Sequence, residues 1–144
     1  MNIYIGTQLG ATKYPDSLAL SRKVYDYVKC NPPLFAYVEP DYVELYFVPT
    51  QCELSYNRVH QDYITNKLRS ISYVGTRGEY IAFVIAHELA HAFAVSAKSM
   101  GYARIGLPYD NLAIELYADN VAYAITGITR ESWKNANNLV LDNS

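Results

Sequence analysis

The sequence predicts an α+β domain in which a small sheet packs against two motif-bearing helices. Three observations predict it. Strand-like runs rich in β-branched and aromatic residues, at 34–38, 42–48 and 70–74, all precede residue 79. Two apolar stretches long enough for helices follow, over 79–99 and 111–126. At 144 residues, 51% apolar and 18% charged, the chain has the size and composition of one folded domain, 1–144, able to bury a core.

Each element has its own signals. Pro15-Asp16-Ser17 marks a helix start, and Leu20, Val24, Tyr27 and Val28 give that helix an apolar face. Asn31-Pro32-Pro33 stops it. Residues 34–38 form an extended run. After a turn at Glu39-Pro40-Asp41, residues 42–48 read as a strand ended by Pro49, and the two runs are expected to pair as a hairpin. Residues 57–71 fit two periods. His60, Ile64, Leu68 and Ile71 have helical spacing, whereas Tyr63-Ile64-Thr65 favours a strand. Residues 70–74 read as a short strand before the turn Gly75-Thr76-Arg77-Gly78. A long helix is expected over 79–99, where no Gly or Pro intervenes. A loop with Gly106 and Pro108 leads to a second helix over 111–126 that stops at Gly127. Thr129-Arg130-Glu131-Ser132 opens a short last helix through Trp133, and the tail from Asn137 is expected to fray.

The long helix carries His87-Glu88-Leu89-Ala90-His91, a match to H-E-x-x-H, and two of the chain's three histidines fall inside it. Four residues apart on a helix, His87 and His91 share a face and can meet one Zn²⁺. Glu88 is placed to hold the attacking water as general base rather than the metal. The flanks, 80–86 and 92–95, are almost wholly apolar, so the histidines need a partner to offset their desolvation. On the second helix Glu115 and Asp119 are again four apart. Glu115 is ranked first as third zinc ligand, and Asp119 is placed behind it, accepting the spare N–H of a ligating histidine. Asp119 itself, Asp110 and His60 are the competing third ligands.

H-E-x-x-H at 87–91 followed by Glu115-x-x-Ala118-Asp119 resembles the gluzincins, the thermolysin-like clan of zinc metallopeptidases. The run Ala86-His87-Glu88-Leu89-Ala90-His91-Ala92 also resembles small intracellular peptidases of phages and mobile elements, among them repressor-cleaving and radiation-response regulators. The resemblance spans 79–125. It implies a zinc-dependent endopeptidase, regulatory or maturational, with His87, His91 and Glu115 on the metal and Glu88 as catalytic base. It further implies that a strand beside the long helix binds the peptide by backbone pairing, here 42–48 or 70–74. The sequence departs from the clan in two ways. It is too short for the two-lobed layout, and no histidine follows His91 to stabilise the transition state. Tyr102, Arg104 and Tyr109, in the connection between the helices, are the candidates for that contact with substrate.

A peptide or protein substrate is therefore the expected partner. No basic run points to nucleic acid, and the net charge is −2 with a pI of about 5.9. No apolar stretch is both long and uncharged enough for a membrane span, and no signal peptide is visible, so a cytoplasmic location is expected. Cys30 and Cys52 form no C-x-x-C pair and are expected to be free, buried thiols of a reducing compartment, with a single disulfide as the alternative. The alternative to an enzyme is a non-catalytic metallopeptidase-fold module that keeps the metal core as a scaffold for protein contacts.

Overall fold

The computed structural model describes residues 2–7, 17–47, 56–62, 67–74, 81–96 and 111–135. In chain order these form β1 (Asn2–Thr7), α1 (Ser17–Cys30), β2 (Tyr37–Val38), β3 (Tyr42–Phe47), β4 (Tyr56–Asp62), β5 (Lys67–Val74), α2 (Ile81–Phe93), β6 (Val95–Ser96) and α3 (Asn111–Thr126), followed by a helical turn at 130–135. Helices and a small sheet thus mix in one arrangement, as an α+β reading expects.

The sheet has the order β1-β3-β5-β4. β1 runs parallel to β3, with Val43 opposite Ile3, and β3 runs parallel to β5, with Val43 opposite Ser70. β4 closes the sheet antiparallel to β5, with His60 opposite Arg69. The ambiguous stretch 57–71 therefore resolves as two strands.

Several expectations are corrected. The run 34–38 does not form a hairpin with 42–48. Its residues Tyr37 and Val38 pair instead with Val95 and Ser96, in a separate two-stranded ladder. The strands offered for peptide binding, 42–48 and 70–74, lie inside the sheet, where neighbours on both sides already take their backbone groups. The edges among the described residues are β1, which the sequence pattern did not mark as a strand, and β4. The long helix ends at Phe93 rather than running on to 99. Val95 is β-branched and finds an extended partner in β2, which outweighs continuing the helix.

The core gathers where α2 is wrapped. Val24 and Val28 come from α1, Val43 from β3, Phe83, Leu89 and Phe93 from α2, and Ala118, Val121 and Ala122 from α3. Residues 83–90 of α2 are all buried, as expected of a helix that is apolar on every side. α1 and α3 pack against it, and the strands β5 and β4 lie along it. α1 is tied to the segment before β3 by Glu39, which accepts hydrogen bonds from Tyr25 Oη at 2.8 Å and from Lys29 Nζ. That pairing holds the Glu39 carboxyl below its usual range.

Both helix ends that matter for the site follow their sequence signals. α3 stops at Gly127, whose φ of 72° is the left-handed conformation, and the Gly127 N–H bonds back to Tyr123 O at 2.7 Å. Thr129 caps the next turn, its Oγ1 accepting the Ser132 N–H at 3.1 Å. The chain thereby doubles back beside the helix it has just left.

Candidate metal centre

α2 presents His87, Glu88 and His91 toward α3 because the whole helix is embedded and these are its polar positions there. On α3 the facing stripe is Glu115, Ala118, Asp119 and Ala122, at spacings of three and four. Ala118 and Ala122 are buried and small, so the helices approach closely and the two carboxylates are carried to the histidines.

The donor atoms form a tight triangle. His87 Nε2 and His91 Nε2 are 3.1 Å apart. Glu115 Oε2 is 3.2 Å from His87 Nε2, and Glu115 Oε1 is 3.2 Å from His91 Nε2. A tetrahedral zinc with ligands at ~2.0–2.1 Å separates those ligands by roughly 3.3 Å. The observed spacings are close to this, and the three side chains are a group that could hold a metal ion.

Behind the triangle, His87 Nδ1 lies 2.9 Å from Asp119 Oδ1, within hydrogen-bond distance but off the line of the ring N–H. Glu88 is buried, and its Oε1 is 3.9 Å from His87 Nε2. Burial pushes the Glu88 carboxyl up, with His91 and His87 pulling the other way. Burial pushes the His87 imidazole down, but Asp119 and Glu115, with the charge of Glu88, more than reverse this, to about 9. The contacts with His87 and His91 hold the Glu115 carboxyl well below the usual carboxylate range.

Of the residues singled out from the sequence, His87, His91, Glu115, Glu88 and Asp119 come together here. Tyr102, Arg104, Tyr109 and Asp110 lie outside the described residues. His60 sits on β4, where its backbone alone is described. Arg130 was missed. Its Nη1 lies 3.2 and 3.3 Å from the two Asp119 carboxylate oxygens and 3.6 Å from Glu115 Oε2. The signal for it was present: the stop at Gly127 and the cap at Thr129 turn the next basic residue back toward two carboxylates. Comparison with family models, with curated proteins and with solved structures returns no match. The reading of the site rests on its own chemistry.

Proposed function

We propose that the chain is a zinc-dependent endopeptidase acting on peptide or protein substrates. The observation that carries this reading is the triangle of His87, His91 and Glu115 with the buried carboxylate of Glu88 beside it. When bound, zinc supplies a Lewis acid that polarises the scissile carbonyl and lowers the pKa of water toward ~7. Glu88 accepts the proton of the attacking water and passes it to the leaving nitrogen. Asp119, 2.9 Å from His87 Nδ1, is placed to accept that ring N–H after a small turn of the ring, leaving Nε2 for the metal. Among the described residues β4 is the edge strand in contact with α2, so a substrate strand adds there rather than on β3 or β5.

Cleavage of unfolded protein substrates tests this reading. The wild type should cut, lose activity to a strong chelator and recover it with zinc. Glu88→Gln should keep its metal and lose about 10²–10⁴-fold in rate. Full function of Glu88→Gln in its native setting would favour the scaffold alternative instead.

A further inference from the structure

We propose that Arg130 is a positioning residue of this centre: it holds the Asp119 carboxylate beside His87 and adds a positive charge between Asp119 and Glu115 on their shared helix face. The proposal rests on the metal-binding reading of the site and adds a residue to it.

Four observations converge on it. Arg130 Nη1 is within 3.3 Å of both Asp119 oxygens and 3.6 Å from Glu115 Oε2, so one guanidinium serves both carboxylates. Like charges four apart on a helix repel, and among the described residues Arg130 is the arginine or lysine in contact with them. The Arg130 side chain also lies near an aromatic ring that leads back to the site. Its Cζ lies 5.9 Å from the Trp133 ring, Trp133 meets Phe83 in a tilted contact with centroids 5.9 Å apart, and Phe83 lies 6.1 Å from the His87 ring. These contacts close a loop, from His87 to Asp119, Arg130, Trp133, Phe83 and back to His87. The backbone turn at Gly127 and the Thr129 cap set the register that brings Arg130 and Trp133 to this place.

Such a loop touches the His87 ring at two points, Asp119 near Nδ1 and Phe83 beside the ring. A carboxylate that orients a ligating histidine is worth ~10–100-fold in metal affinity, and a guanidinium that orients the carboxylate acts through the same route. Lys keeps the charge on a different head group, whereas Met keeps the stem against Trp133 and carries no charge.

The test is zinc affinity, by competition with a chromophoric chelator, for the wild type, Arg130→Lys, Arg130→Met, Asp119→Asn and the double variant Asp119→Asn with Arg130→Met. Arg130→Met should lower affinity ~10–100-fold. Arg130→Lys should recover part of that loss. On the Asp119→Asn background the Met substitution should add less than about threefold, because residues acting through one network are not additive. A role confined to packing on Trp133 predicts the reverse, with Met tolerated and Lys no better. Arg130→Met within about twofold of the wild type, or losses that multiply in the double variant, would overturn the proposal. A wild type that takes up no zinc would sink the metal reading instead. The metal-free melting temperatures of the same five proteins would then decide the Arg130–Asp119 hold, a coupled cycle supporting it and an additive one overturning it.

Discussion

Glu115 is the most exposed of the three metal-facing side chains, at 46% against 11% for His87 and 15% for His91. Water competes for it more than for the histidines, so its hold on the site depends most on the metal. Glu115→Ala should cut zinc affinity severely, whereas Asp119→Ala should cost ~10–100-fold through loss of ligand orientation. Isothermal titration of both variants distinguishes them, and the opposite ranking would exchange their roles. His87 gives a pH signature. With no metal its imidazole is held protonated up to about 9, so zinc must displace a proton to bind. Affinity should therefore keep rising with pH between 6.5 and about 9, where an unperturbed histidine would already have levelled off. The sign for folding without metal is the opposite. The raised pKa contributes stability that is complete below 6.5 and is lost as pH rises through about 9. A pH series of zinc titrations and of metal-free melts reads the two trends separately.

α3 is the element that delivers both carboxylates and, through its end, Arg130. Gly127 terminates it in a left-handed conformation with open space around its missing Cβ. Gly127→Ala should lower stability by ~1 kcal/mol from backbone strain alone, and by more if the following turn shifts. A thermal melt shows this as a drop of a few degrees. The boundaries of α3 were readable from sequence because Asn111 and Gly127 bracket an uninterrupted apolar pattern. The histidine pair and the two carboxylates were readable because a helix converts a spacing of four into one face. β1 and β4 were not. β4 reads Tyr-Asn-Arg-Val-His-Gln-Asp, largely polar, and it is a strand because β5 offers it a ladder. The end of α2 was misread for the same reason. Nothing in 92–96 stops a helix, and the partner that takes Val95 and Ser96 lies at Tyr37 and Val38. Local pattern carries periodicity, whereas edge position and strand partners depend on contacts distant in sequence.

Among the described residues α2 is the packed centre, and the candidate metal site lies on the face it shares with α3. Truncating Leu89, fully buried on α2, should destabilise by ~2–5 kcal/mol. It should also loosen the site, because His87 and His91 ride on the same helix. No helix among the described residues is long and apolar enough to cross a membrane. A ligand that binds only the folded chain stabilises it by mass action, ~4 kcal/mol at a thousandfold excess over Kd. Zinc should accordingly raise the melting temperature of the wild type and leave that of Glu115→Ala nearly unchanged. The most direct measurement of the central claim is the metal content of protein purified without added metal, followed by zinc titration of the chelator-stripped chain. Binding of one zinc per chain, abolished or severely weakened in His87→Ala, His91→Ala and Glu115→Ala, is the predicted result. A chain that carries no zinc and takes none up, or one whose zinc survives all three substitutions, would contradict the account.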